Sequence, residues 1–217
     1  MPKCVLVIGN KNYSSWSLRA WLAIKRTGID FEEIVVPLMR PETREAIRTH
    51  SPSGKVPLLK HGDDTVWDSL AIAEYLAERF PAAGLWPADP AARAVARSVA
   101  AEMHAGFMAL RRGLPMNLRA HYPDHARAAD VDADVARVQE IWRSCRSRFG
   151  AGGPFLFGRF TAADAFYAPV VGRFRTYDVA LDAAGQAYAD AVWHTPDMTQ
   201  WVTAAVAEPY VVPEYEL

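Results

Sequence analysis

The chain has 217 residues, 51% of them apolar and 23% charged, a composition that builds a buried core and excludes disorder as a description of the whole chain. Twenty-four basic against 25 acidic side chains leave a formal charge of −1; this supplies no long-range field for a phosphate backbone or an anionic lipid surface, so neither nucleic acid nor membrane is expected as a partner. No stretch reaches the roughly 18 uncharged apolar residues of a bilayer span, and the opening run from Cys4 to Gly9 is too short for a secretory signal, so the expectation is a cytoplasmic protein.

The first predicted strand is Cys4-Val5-Leu6-Val7-Ile8. A polar turn from Gly9 to Tyr13 leads to Ser14 and Ser15, both able to cap the helix that follows, whose buried stripe is marked by Leu18, Trp21 and Leu22. Gly28 fits the left-handed position just past that helix. Phe31 to Val36 restores the β signal until Pro37 stops it, and a short helix fits Glu42 to Arg48. Val56 to Lys60 and Thr65 to Trp67 flank a Gly62-Asp63-Asp64 turn, which reads as a hairpin. Asp68-Ser69 then caps a helix predicted through Arg79.

Composition changes near residue 81, after which nearly everything reads as Ala-rich helix. Residues 81–89 form a linker, and Asp89-Pro90 opens a long helix predicted to about Arg112. The next helix carries Val131, Val135, Val138, Trp142, Cys145 and Phe149 at spacings of four and three, which places Cys145 in a core-facing stripe. Thr161-Ala162-Ala163-Asp164 is a capping-box variant opening another helix, and two more follow, over Ala183 to Trp193 and from Thr195-Pro196. The order βαβαββα over residues 1–80 predicts a small mixed sheet with helices on its faces, an α/β domain of thioredoxin-like pattern, followed by an all-α domain over 90–217. Cys4 and Cys145 make no CxxC, and His121 and His125 enclose Pro123, so neither dithiol chemistry nor a helical metal pair is expected.

Tyr13-Ser14-Ser15-Trp16-Ser17-Leu18-Arg19 after the first strand, Lys55-Val56-Pro57 before the third, Asp68-Ser69 before the third helix, and Thr161 to Asp164 in the helical half together carry a resemblance. The chain resembles a cytosolic glutathione S-transferase and is most similar to the serine-type, zeta-like bacterial branch. The likeness in element order covers nearly the whole chain. It implies glutathione as co-substrate, a small electrophile as second substrate, no metal, a role in detoxification, and a homodimer in which the first domain of one subunit packs on the second domain of the other.

The chemistry the resemblance implies agrees with elementary arithmetic. A thiol of pKa about 8.5 is only about 3% ionised at pH 7, and the thiolate is the nucleophile. Lowering that pKa by about two requires roughly 2.7 kcal/mol, and one hydrogen bond to a charged group contributes about 1.5 to 3 kcal/mol. The resemblance puts this donor role on Ser14, with Ser15 supporting it and Tyr13 as an adjacent phenol competitor; on cap preference alone the two serines only begin a helix. It identifies Val56-Pro57 with the family's cis-proline element, whose backbone pairs with the tripeptide, and gives Lys55 a carboxylate of the peptide. Ser69 would bind the γ-glutamyl carboxylate at a helix start, with Asp68 facing the α-ammonium. Thr161 and Asp164 look like the family's folding box and are assigned to structure. Trp16, Met103, His104, Phe107, Met108 and Arg111 are the candidates for an electrophile pocket, since helical spacing turns them toward the first domain; core packing is the competing reading for most of them.

Three functions fit. The first is a transferase that adds the glutathione sulfur to an electrophile. The second is a glutathione-dependent cis-trans isomerase of maleylacetoacetate type, from which the chain departs at Trp16, where those enzymes typically carry cysteine, and matches only approximately in the arginines of Arg173-Phe174-Arg175. The third is a non-catalytic glutathione-binding or interaction module.

Overall fold

The computed structural model describes residues 3–217. Its first part runs β1 (Cys4–Gly9), α1 (Ser15–Lys25), β2 (Glu32–Val36), α2 (Thr43–Arg48), β3 (Leu58–His61), β4 (Asp64–Trp67) and α3 (Ser69–Arg79). The strands lie in the order β2-β1-β3-β4, with β1 and β2 parallel and the other two pairings antiparallel. As an inner strand β1 is buried on both faces, which is why its sequence is a continuous apolar run. Leu6 and Ile8 join the core with Leu18, Trp21 and Leu22 of α1 and Ile72 and Leu76 of α3. Val5 and Val7 pack on the other face with Val36, Leu58 and Ile47 of α2.

The helical part comprises α4 (Pro90–Ala105), α5 (Met108–Gly113), α6 (Ala129–Phe149), α7 (Ala162–Thr176), α8 (Ala183–Trp193) and α9 (Pro196–Ala207). Helix α7 is central: every residue of it but Arg175 is buried, and it packs against α1, α4 and α8. Through α1 and α7 the thioredoxin-like sheet domain and the helical domain share one core. The α7 N-terminus is closed by Asp164, whose carboxylate accepts Leu156 N at 3.1 Å, Thr161 N at 2.7 Å and Thr161 Oγ1 at 2.9 Å. Cys4 and Cys145 are buried and unpaired, and burial pushes the Cys145 thiol up to about 11. Among the described residues no helix is long and apolar enough to cross a membrane.

Three expectations need correction. The single helix predicted to Arg112 is broken: α4 ends at Ala105, Gly106 is extended, and Phe107 is left-handed with φ 59° before α5 begins. A Cβ on Gly106 would lie 2.9 Å from the Glu102 carbonyl oxygen, and Arg111 folds back to donate to the Gly106 carbonyl at 3.0 Å and to that of Met103, covering the carbonyls that the break leaves free. Strand β3 begins at Leu58 rather than Val56, because Pro57 has no N–H for the ladder. The hairpin turn is Gly62-Asp63, with Asp64 already paired to His61.

Candidate functional site

The site is built at three ends of secondary structure. The first is the α1 N-terminus, carried there by the inner strand β1. Ser14 is the N-cap: its Oγ accepts Ser17 N at 3.3 Å and donates to Ser17 Oγ at 2.7 Å. Ser15 follows, 6% exposed, with Arg173 Nη2 of α7 3.4 Å from its Oγ. Tyr13 is engaged elsewhere, its hydroxyl donating to Glu216 Oε1 and accepting from Arg119; burial, then that bond, raises its pKa.

The second is the loop entering β3. Here the Val56–Pro57 peptide bond is cis, Pro57 is buried, Val56 half-buried and Lys55 exposed. The third is the α3 N-terminus. Asp68 caps it from a positive φ of 75°, its Oδ1 accepting Leu70 N at 2.8 Å, while Oδ2 lies 3.3 Å from His104 Nε2 of α4. Ser69 is fully buried and, among the described residues, its Oγ has no hydrogen-bond partner.

Two cavities meet across this region, sharing Trp16 and Leu38 as wall. The smaller, about 310 Å³, holds Ser14, Ser15, Arg111, Arg173, Val212 and Tyr215. The larger, about 680 Å³, holds Lys55, Val56, Pro57, Asp68 and Ser69. A third of about 650 Å³ lies against α7 and α8 around Arg175 and Trp193 and contains none of the predicted site residues.

The shared wall is set on a buried positive cluster. The Trp16 ring has the Arg19 guanidinium 4.6 Å and the Arg111 guanidinium 5.0 Å from its centroid, with the His104 ring edge-on at 5.1 Å. Arg19 is wholly buried and, among the described residues, none of its guanidinium nitrogens has a hydrogen-bond partner. Burial, then Arg111 and Arg173, lower its pKa well below the usual arginine range. Arg173 donates to the carbonyls of Leu114 at 2.8 Å and Pro169 at 3.2 Å, and burial followed by Arg111 pushes it down to about 9, so it keeps its charge at neutral pH. Burial lowers the His104 pKa; Asp68 opposes that shift, while Arg19 and Arg111 add to it.

The structure thus gathers Ser14, Ser15, Trp16 and Arg111 around one cavity and Lys55, Val56, Pro57, Asp68 and Ser69 around the other, with His104 touching Trp16 and Asp68 between them. It does not bring in the remaining pocket candidates. Phe107 and Met103 are buried in the core and Met108 is half exposed, and none of them lines either cavity, because the break after Ala105 turns residues 107 and 108 off the α4 face. Sequence reasoning missed Val212 and Tyr215, which reach the cavity from the far end of the chain with no local signal. Arg19 did carry one, a charge set between Leu18 and Trp21 in an apolar stripe. His121 bonds Asp178 and His125 bonds the Gly113 carbonyl, so the two imidazoles have separate partners.

Comparison with known proteins adds names to this geometry. Residues 13–79 match the family model for the glutathione S-transferase N-terminal domain, and residues 128–198 that for the C-terminal domain. The chain is similar to the maleylacetoacetate isomerase of Pseudomonas aeruginosa, 31% identical over 183 residues that cover 80% of this chain and 82% of that protein. It is 36% identical over 112 residues to the maleylacetoacetate isomerase of Rattus norvegicus, covering 50% of this chain and 51% of the relative. The matches to the rat, mouse and Caenorhabditis elegans proteins span about half of each relative's length. Among solved structures, a glutathione transferase homolog from Burkholderia gl BGR1 with bound glutathione superposes with a TM-score of 0.68 at 25% identity, covering 94% of this chain and 97% of that one.

Proposed function

The chain belongs to the glutathione S-transferase family, and we propose that it is a glutathione transferase. It binds the tripeptide across the larger cavity, holds the thiol as thiolate at Ser14, and delivers the sulfur to an electrophilic carbon in the smaller one. The observation that carries this is the common wall: Ser14, the α1 N-cap, stands on one side of Trp16, and the Val56 backbone, Asp68 and Ser69 stand on the other. The homolog solved with glutathione supports the choice of ligand.

Each residue then has a task. The Ser69 N–H and hydroxyl at the start of α3 receive the γ-glutamyl carboxylate, Asp68 faces the ammonium, and the Val56 main chain pairs with the cysteinyl backbone, Lys55 lying beside the peptide's other carboxylate. The thiol proton leaves to water, and Ser14 donates to the sulfur anion, with Ser15 beside it. Sulfur forms the new bond to carbon while the leaving group departs with its bonding pair; in addition to a double bond, the π pair moves instead to the neighbouring carbon, which takes a proton from water. Proximity and the ionised sulfur account for the acceleration. Tyr13 is the weaker candidate for the donor, because its proton already serves Glu216.

A second reading is supported by one feature of the smaller cavity. Arg111 and Arg173 line it beside Ser15, and two guanidiniums favour a substrate bearing a carboxylate, as a glutathione-dependent isomerase of maleylacetoacetate type requires. The same family reading carries a homodimer, a cytoplasmic location, a role in detoxification, and a division at 1–80, 81–89 and 90–217. Capture on immobilised glutathione, followed by turnover assays on aryl halides, epoxides, peroxides and maleyl diketones, tests it. Turnover of the halides or epoxides is expected for the transferase and of the diketones for the isomerase. Capture without turnover of any would leave a binding module, and neither capture nor turnover would end all three readings.

A further inference from the structure

We propose that Ser17 is a positioning residue for the Ser14 hydroxyl, the middle of a hydrogen-bonded series from the Gly9 amide to the glutathione sulfur; this rests on the thiolate reading above. Ser17 is fully buried and lines neither cavity, so it has no path to either substrate. A serine inside a helix commonly bonds back to the carbonyl four residues earlier. Here its Oγ instead accepts the Gly9 N–H from the end of β1 at 2.9 Å and the Ser14 hydroxyl at 2.7 Å. The Ser17 N–H reaches Ser14 Oγ at 3.3 Å as well, so two atoms of one residue hold the Ser14 side chain.

In the structure the Ser14 hydroxyl donates to Ser17 Oγ. An anionic sulfur is a stronger acceptor than a neutral hydroxyl, so the proton turns to sulfur when the tripeptide binds. That leaves Ser14 Oγ as an acceptor, and the Ser17 hydroxyl rotates to donate to it while still accepting from Gly9. Ser14 then receives two donors and gives one, using the full bonding capacity of a hydroxyl. No proton crosses from one residue to the next, and each donor polarises the one after it. Strengthening the Ser14 donor, a bond of about 1.5 to 3 kcal/mol, by about 10 to 30% makes the thiolate about 1.3- to fivefold more populated, equivalent to a bound-thiol pKa lower by about 0.1 to 0.7.

The test is ultraviolet difference titration of glutathione bound to wild type, S14A, S17A and S14A/S17A, with melting temperature measured alongside. S17A is expected to raise the bound-thiol pKa by about 0.1 to 0.7, less than S14A does, and to add nothing in the S14A background. Should S17A disturb folding, S17T and S17V supply the same comparison with near-identical shapes: the hydroxyl of S17T keeps the wild-type pKa and S17V raises it. A pKa unmoved by S17A and S17V while S14A shifts it, or additive shifts in the double variant, would overturn the series and leave the transferase reading standing. A pKa unmoved by S14A would overturn the thiolate reading and the series with it.

Discussion

The α7 N-terminus and the α1 and α3 N-termini use the same residue types, serine, threonine and aspartate at a helix start, yet they are finished in opposite ways. At α7 the polar atoms are matched: Asp164 is wholly buried and takes the hydrogen bonds of Leu156 and Thr161. At α3 the Ser69 hydroxyl is equally buried and has no partner among the described residues, and at α1 the Ser14 hydroxyl is turned on a neighbouring serine at the wall of a cavity. Since an unmade hydrogen bond in a buried place costs free energy, a finished end reads as structure and an unfinished one as a place kept for something else.

The contrast breaks first, and most visibly, at the finished end. Asp164→Ala strands the Leu156 and Thr161 donors in the interior and removes a helix cap; a loss of roughly 3 to 5 kcal/mol is expected. For a chain of this size that is a fall in melting temperature of about 10 °C, measured by calorimetry, with the glutathione affinity of the folded fraction unchanged. A pH dependence accompanies it. Burial pushes the Asp164 carboxyl up to about 6 from its ordinary 3.8, against the bonds from Leu156 and Thr161. The folded chain therefore takes up this proton before the unfolded chain does, so the group's contribution to stability grows as pH falls from above 6 toward 4 and is lost as pH rises through 6. In D164N that part of the slope disappears; an unchanged slope would assign it to another group.

Next in size is Ser14→Ala. Removing one hydrogen bond to a charged sulfur costs about 1.5 to 3 kcal/mol, so kcat/KM at neutral pH should fall about 10- to 100-fold while the bound-thiol pKa rises. The lost N-cap lowers stability by only about 1 kcal/mol. Activity would thus collapse with little change in melting, the reverse of D164A. Tyr13→Phe serves as the control, with the thiol pKa expected to stay where it is; a rise there and none in S14A would move the donor role to the phenol.

Much of this division was legible before any coordinates, and the reasons for what was not are specific. The run Cys4 to Ile8, the Thr161 to Asp164 box and the Asp68-Ser69 start are local patterns, set by neighbours within four residues, and each appears where its pattern puts it. The break at Gly106-Phe107 is not local: it is completed by Arg111 returning to the α4 carbonyls. Extending the helix through it placed Phe107 and Met108 on the site-facing side, whereas the left-handed Phe107 sends its own ring to the core and Met108 to solvent. Val212 and Tyr215 come to the Ser14 cavity across some two hundred residues of sequence, held there by pairs such as Glu216 with Arg119 at 3.2 Å. No periodicity encodes a contact of that separation. The difference between a cap that is satisfied and one that is waiting was equally invisible, because it depends on who else is buried nearby.

Ser69→Ala probes that last point with the smallest expected effect. In most buried positions removing a serine hydroxyl leaves a former partner unpaired and destabilises the fold. Ser69 Oγ has no such partner among the described residues, so the melting temperature should hold or rise slightly. On the proposed function the hydroxyl acquires its bond when the tripeptide carboxylate arrives, and the Ser69 N–H and the α3 dipole share that carboxylate, which limits the loss to about 1.4 kcal/mol, or roughly tenfold in glutathione affinity. Turnover at saturating glutathione should be unchanged, because the group is remote from sulfur and its bond is made equally before and during reaction. Equilibrium binding, a KM-against-kcat split and a melting curve on the one variant separate the possibilities. A drop in melting temperature with unaltered affinity would make the α3 start a structural cap like that of α7, and the proposed carboxylate contact would be gone.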